Sequence, residues 1–220
     1  MHRDAVPYKT ALRWQRNIYN LRVQAVKNNR PVPRDTLLLL QHPPVYTLGA
    51  RSDVKNILTN KGRNIGVEKT ERGGEVTYHG PGQLVLYPIL NLRSYRCDAH
   101  WYVRSLEEVV IRTLAHFDVQ GHRKIGLPGV WVGDAKVCAI GTKISRWITM
   151  HGLSLNVHPN LCHFAGIIPC GLEGRPVTSI RNILGEKHSV SMSDVRHQIL
   201  GDFSDVFGVE IHVSPGTPKN

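Results

Sequence analysis

The sequence predicts a mixed α/β or α+β fold built as a single domain, and three observations carry that expectation. Apolar residues recur at helical spacing near the start, in the middle and near the end of the chain. Runs rich in β-formers fill the intervals between them. In the second half those runs are separated by short turns, the pattern of an antiparallel meander. The chain has 220 residues, of which 41% are hydrophobic, enough for one well-filled core.

Ala11, Trp14, Ile18, Leu21 and Ala25 step by three and four, which predicts a first amphipathic helix with those residues inward. The stretch Asn28-Asn-Arg-Pro-Val-Pro33 ends it, because proline removes a ladder donor and asparagine favours a turn. Thr36 to Gln41 reads as a buried strand. His42-Pro-Pro44 is a turn, and Val45 to Leu48 a second short strand. A loop with Gly49, Asn60 and Gly62 leads to a strand near Asn64 to Thr70, then to a glycine-rich loop. Gln83 to Leu92 is apolar and β-rich. Val103, Leu106, Val110, Thr113 or Leu114, and Phe117 mark a second helix. Val130 to Val132, Lys136 to Ile144 and Thr149 to Val157 form the meander, turning at Gly133-Asp134 and Ser145-Arg146. Ser191 or Ser193 caps a third helix with Val195, Ile199, Phe203 and Val206 inward. A last strand, Val209 to Val213, precedes a flexible tail, residues 214–220.

Composition narrows the function. No apolar run nears the roughly 20 residues of a membrane span; the longest, Leu37 to Leu40, is strand length. The start, MHRDAVPYKT, lacks the apolar segment of a secretory signal and is too mixed in charge for a transit peptide. The expectation is a chain acting in the cytoplasm, or in a plastid stroma or mitochondrial matrix if a leader lies outside this sequence. The net charge of +11 suits an acidic partner reached by electrostatic steering. Its Lys and Arg residues are scattered, without blocks, zinc-finger spacing or aromatic interleaving, which argues against nucleic acid. Cys97, Cys138, Cys162 and Cys170 show no C-x-x-C spacing or disulfide framework, as in a reducing compartment. His158, Cys162 and His163 lack further ligands at structural-zinc spacing, so no metal is expected there.

Two segments carry chemistry. The loop Arg72-Gly-Gly-Glu-Val-Thr-Tyr-His-Gly-Pro-Gly82 combines glycines, which admit close backbone approach, with a fixed cation at Arg72 and a proton carrier at His79. It lies between strands, so it lacks the following helix that a dinucleotide or ATP-type phosphate loop requires. Glu75 and Thr77 can satisfy loop backbone groups. Downstream, Pro169 and Gly171 hold Cys170 in a backbone-exposed turn, where Gly171 can offer its N–H to an oxyanion. A free thiol is only a few per cent ionised at neutral pH, so it needs a cation or base. Lys136 is the candidate. Strict alternation along its strand puts Lys136, Cys138 and Ile140 on one face and Val137, Ala139 and Gly141 on the other. His151-Gly-Leu-Ser154 again sets approachable backbone beside a polar group. Cys138 and Cys162 read as structural.

RGGEVTYHGPGQLVLYPI, AKVCAIGTKIS, ITMHGLSLNV and IIPCGLEGRPVTSI, in this order, closely resemble the octanoyltransferases of lipoic acid synthesis, from Val6 to about Leu184. The wording around His100-Trp-Tyr and Gly129-Val-Trp-Val-Gly is similar to the cyanobacterial and plastid branch. The resemblance implies a mixed, mostly antiparallel sheet flanked by helices, shared with biotin and lipoate protein ligases. It implies transfer of an octanoyl group from octanoyl-acyl carrier protein to a lysine of lipoyl domains, in 2-oxoacid dehydrogenase subunits and the glycine cleavage H protein. Cys170 would carry the acyl group as a thioester and Lys136 would depress the thiol pKa and shuttle the proton, with no cofactor. The acyl-substrate segments would be Arg72, Gly73, Gly74, Glu75, Val76, Thr77, Tyr78 and His79, then Ala139, Ile140 and Gly141, then Gly152, Leu153 and Ser154. Relatives carry a short apolar strand before Val6-Pro-Tyr8, where this chain has MHRDA; a trimmed start with an incomplete sheet edge is the expectation. Lys143, where relatives often have arginine, reads as a surface cation. The rival readings are an ATP-dependent lipoate or biotin ligase on the same fold, and a basic binding module with Cys170 merely packed.

Overall fold

A computed structural model describes residues 5–52, 54–58, 65–168, 176–185 and 190–214. The Pro169-Cys170-Gly171 turn, Asn60, Gly62, Asn64 and the tail beyond 214 lie outside the described residues. In chain order the elements are α1 (Tyr8–Lys27), β1 (Thr36–Leu40), β2 (Val45–Leu48), β3 (Gly66–Lys69), β4 (Thr77–His79) and β5 (Gln83–Ile89). They continue as α2 (Ala99–Ala115), β6 (His122–Lys124), β7 (Leu127–Val132), β8 (Ala135–Ser145), β9 (Ile148–Asn156), α3 (Ile180–Leu184) and α4 (Met192–Phe207). The class is α+β, and the strands divide between two sheets. A six-stranded antiparallel sheet runs β1-β5-β9-β8-β7-β6, and a small one runs β3-β2-β4. In the small sheet β2 pairs parallel with β3 and antiparallel with β4.

The large sheet is covered on both faces, which strand β5 shows residue by residue. Leu84 and Leu86 join the core beneath α2 and α4, whereas Val85, Tyr87 and Ile89 join the core beneath α1. That is the two-residue period of a pleated strand buried on both sides, and it explains why Gln83 to Ile89 reads as continuously apolar. A third apolar cluster, with Tyr46, Leu48, Val76, Tyr78, Phe164 and Ile167, lies on the small sheet.

Helix α1 forms where expected, with Ala11 buried and Trp14 and Ile18 packed against the core, but its buried face is shifted from the apolar stripe. Tyr8, Ala11, Leu12, Gln15, Tyr19, Arg22 and Val23 are buried, while Leu21 is 67% exposed. The face is set by hydrogen bonds that an apolar count omits. Gln15 Oε1 accepts from the His151 backbone N–H at 2.9 Å, and Arg22 donates to Thr36 Oγ1 at 2.8 Å and to the Arg34 carbonyl. Helix α2 is capped by Asp98, whose carboxylate accepts from Trp101 N–H. Ser191, rather than Ser193, caps α4 by accepting from Asp194 N–H.

The expected strand at Val209 to Val213 is absent. Gly208 ends α4 in the left-handed region, at φ 63°, and residues 209–214 continue as irregular chain. Val209 and Ile211 pack against the main core, so their alternation serves burial rather than sheet pairing. Helix α3 and strand β6 leave no signal in the sequence, since five and three residues carry too little periodicity.

Glycine 152 shows how tightly the central strands fit. A Cβ there would lie 2.2 Å from the Leu86 carbonyl oxygen and 2.6 Å from Pro88 Cδ. Gly152→Ala is therefore expected to lower the free energy of unfolding by about 1–3 kcal/mol. Gly201, exposed in α4 with no atom within 4 Å of where a Cβ would stand, is the opposite case. Gly201→Ala is expected to raise stability by about 0.5–1 kcal/mol. Urea titration of both variants checks the pair of signs.

Candidate active site

The three sequence segments singled out above converge on one cavity of about 420 Å³. Arg72, Gly73, Gly74, Glu75, Val76, Thr77 and His79 line it from the glycine-rich loop and β4, and Lys136, Ala139, Ile140, Gly141, Gly152, Leu153 and Ser154 line it from β8 and β9. Tyr78 is the exception. Thr77 and His79 turn toward the cavity along β4, which directs Tyr78 into the small-sheet core, where its hydroxyl meets His163 Nδ1 at 2.6 Å. His163 is thus engaged with a phenol. Cys162 is exposed rather than packed.

The glycines bring backbone against backbone. Gly73 N–H donates to the Thr142 carbonyl at 2.8 Å, docking the loop on β8. A Cβ on Gly141 would lie 2.9 Å from the Gly73 oxygen, and one on Gly49 would lie 2.1 Å from the Gly74 oxygen. Gly74 and Gly82 both stand at φ 85°, a left-handed conformation that L side chains resist. The loop therefore forms part of the wall without bulk between it and the sheet.

Behind this wall runs a connected set of buried hydrogen bonds. Arg72 Nη2 donates to the Thr47 carbonyl at 2.7 Å and to Thr47 Oγ1 at 2.9 Å. Thr47 Oγ1 lies 3.3 Å from His79 Nε2, and His79 Nδ1 lies 2.8 Å from Gln83 Oε1. Gln83 Nε2 donates to Asn156 Oδ1 at 2.8 Å, and Asn156 Nδ2 donates to the Thr178 carbonyl at 2.9 Å. Since Gln83 Oε1 can only accept, His79 carries its proton on Nδ1 and accepts at Nε2. The expectation of His79 as a proton carrier is corrected by this setting. Burial first, then His42 and Arg72, holds its pKa well below the ordinary value, so it stays neutral.

Strict alternation along β8 also fails, at the residue that matters most. Trp131 pairs with Lys136 but Val130 pairs with Cys138, so Val137 is an extra residue in the ladder. The bulge separates Lys136 from Cys138. Cys138 stays in the main core, fully buried, its thiol pKa pushed up by that burial, while Lys136 joins Ala139 on the cavity side. Lys136 also fixes a distant stretch of chain. Its N–H donates to the Pro176 carbonyl at 2.9 Å, and Thr178 N–H donates to the Lys136 carbonyl at 3.0 Å. Pro176 follows Cys170 by six residues. Two residues before Cys170, Ile168 N–H donates to the Asn56 carbonyl at 2.8 Å. Lys143, read as a surface cation, is partly covered and lies 3.7 Å from Glu71.

Tyr8, Tyr87 and Thr142 also line the cavity, beyond the residues that the sequence marks for the site, and so does His151, which the sequence marks only as the start of His151-Gly-Leu-Ser154. His151 is unusual on three counts. It sits in strand β9 at φ 60°, it is 1% exposed, and neither ring nitrogen has a hydrogen-bond partner among the described residues. Its one sequence signal is its place before Gly152.

His42, His79 and His151 give the fold a defined acid limit. Burial lowers His42 to about 4 despite the Val6 carbonyl on its ring. Burial likewise lowers His151 to about 3, against the pull of Glu71 and with the push of Arg72. An unfolded chain takes up these protons near 6.5, whereas the folded one refuses them until far lower pH. Stability is therefore level above about pH 7 and falls as pH drops below 6.5. Each histidine contributes a slope of up to about 1.4 kcal/mol per pH unit until its folded value is reached. Urea titrations between about pH 8 and pH 4 measure it; a pH-independent free energy of unfolding contradicts the burial assignment.

A family model for the lipoyl protein ligase A/B catalytic domain matches residues 7–204. An octanoyltransferase of Gloeobacter violaceus is 52% identical over 205 residues, covering 93% of this chain and 88% of its own. A chloroplastic octanoyltransferase of Arabidopsis thaliana is 44% identical over 221 residues, covering 96% and 78%. Among solved structures, a lipoate-protein ligase A bound with ATP superposes at a TM-score of 0.71 and 15% identity, over 91% of this chain and 83% of that one, a likeness of fold. With its sheets, its cavity and these relatives together, the chain belongs to the lipoyl protein ligase A/B catalytic-domain family, among its octanoyltransferases.

Proposed function

We propose that this chain transfers an octanoyl group from octanoyl-acyl carrier protein to a specific lysine of lipoyl domains, through a thioester on Cys170. In the first step the Cys170 thiolate attacks the carbonyl carbon of the donor thioester. A C–S bond forms, the donor C–S bond breaks, and the carrier's thiolate leaves and takes up a proton from the Lys136 ammonium, which is left as the neutral amine. In the second step the neutral amine of the acceptor lysine attacks the acyl-enzyme. The amide forms, Cys170 is released as thiolate, and the surplus amine proton passes to Lys136 or to solvent. Electrons and protons balance without ATP or metal.

The observation that carries this reading is the placement of Lys136. Its side chain lines the cavity, and its backbone holds Pro176 and Thr178, a short stretch after Cys170. A cation there favours the thiolate over the thiol. The apolar part of the lining, with Val76, Leu127, Ile140 and Leu153, suits an alkyl chain. Each CH₂ buried there is worth about 0.8 kcal/mol, so the depth of the slot sets chain length. The acceptors are lipoyl domains of 2-oxoacid dehydrogenase subunits and the glycine cleavage H protein. The net charge of +11 draws in acidic carrier and lipoyl domains. A reducing compartment, the cytoplasm or else a plastid stroma or mitochondrial matrix, would keep the nucleophile as a thiol. No helix of the described residues is long and apolar enough to cross a membrane.

Incubation with octanoyl-carrier protein and an unmodified lipoyl domain, without ATP, is expected to give an octanoyl adduct on the enzyme and then on the lipoyl domain. Intact mass reads both. Cys170→Ala is expected to abolish the enzyme adduct; an undiminished adduct on that variant overturns the assignment, and a strict need for ATP favours the ligase reading. Lys136→Ala is expected to move the midpoint of Cys170 alkylation upward by about one pH unit or more. An unchanged alkylation profile removes Lys136 from the mechanism.

A further inference from the structure

Trp131 is 1% exposed, yet it stands outside the three apolar clusters formed by the described residues. Two cationic side chains approach its ring. Strand β7 lies between β6 and β8, and Trp131 pairs with His122 on one side and Lys136 on the other. The ammonium groups of Lys124 and Lys136 each lie 4.8 Å from the ring centroid. The indole N–H donates to the Leu127 carbonyl at 3.3 Å, which fixes the ring's orientation. Lys124 also has Asp134 at 2.6 Å, so its charge is met by a carboxylate. Trp131 itself is not among the residues lining the cavity.

We propose that Trp131 is a positioning residue for Lys136, its ring face holding the Lys136 ammonium at the cavity wall. The proposal rests on the reading of Lys136 as the cation that serves the Cys170 thiol. The bulge at Val137 brings the lysine to the cavity side, and its cross-strand pairing with Trp131 sets the ring beneath the end of its four-carbon stem. A buried indole pinned at its N–H presents a negative face that favours the charged end at one place. Leucine would fill much of the same space without that face. Pre-placing the cation lowers the reorganisation needed when the thiolate forms.

The test compares wild type, Lys136→Ala, Trp131→Leu and Trp131→Phe in the full chain, by the pH profile of Cys170 alkylation and by single-turnover acylation with octanoyl-carrier protein. Trp131→Leu is expected to move the alkylation midpoint upward and to slow acylation about threefold to tenfold, with donor binding unchanged and partial rescue in Trp131→Phe. A fluorinated tryptophan series placed at position 131 alone weakens the ring's negative face while keeping its shape. It guards against a leucine variant that does not fold. A graded upward shift with each added fluorine supports the proposal. A shift in Lys136→Ala with none across the fluorinated series overturns it and leaves the lysine assignment standing. No shift in Lys136→Ala removes the lysine assignment, and the proposal falls with it. Equal loss in the leucine and phenylalanine variants, with a flat fluorine series, assigns Trp131 to packing alone.

Discussion

The buried hydrogen bonds from Arg72 through Thr47, His79, Gln83 and Asn156 to Thr178 join parts of the chain that sequence order keeps far apart. They link the small sheet to the end of the large one, and the glycine-rich loop to the stretch that Lys136 clamps. Such a set is cooperative in a low-dielectric interior, and removing one member leaves its neighbours' polar groups unmet. The cavity lies against this line of contacts, so its walls keep a fixed separation because the polar groups behind them are paired.

Packing supplies the second constraint. The large sheet is buried on both faces, with α1 on one side and α2 and α4 on the other. At Gly49, Gly141 and Gly152 the backbones approach more closely than any Cβ permits. The two constraints act in different directions: apolar burial holds the layers together, and hydrogen bonds fix the small sheet and its loop upon them.

Electrostatics divides the site into two regions. Toward the small sheet and α1, buried His42, His79 and His151 are held neutral, and Tyr8 is pushed up to about 12, so the interior exchanges no protons near neutral pH. On β6, β7 and β8, Lys124 and Lys136 approach one indole ring. The first region holds no titrating side chain near neutral pH beside the fixed Arg72 cation, and the second sets a cation against an aromatic ring. This separation is consistent with acyl transfer and needs no phosphate-binding helix terminus.

Sequence alone determined which residues belong to helices and strands over most of the chain, because apolar periods of 3.6 and 2 are local properties. It also marked residues 72–79, Lys136, 139–141 and 152–154 as candidate-site segments, through glycines, histidine and lysine visible in one dimension and through the resemblance that their motifs carry. Tertiary structure decided the rest. The face of α1 followed from the hydrogen bonds of Gln15 and Arg22, and Tyr78 turned inward because its neighbours Thr77 and His79 took the cavity side. The bulge at Val137 reversed the expected pairing of Lys136 with Cys138, and Gly208 ended α4 without a following strand. Each depends on a partner distant in sequence or on one added residue in a ladder, and neither leaves a periodic mark in the chain itself.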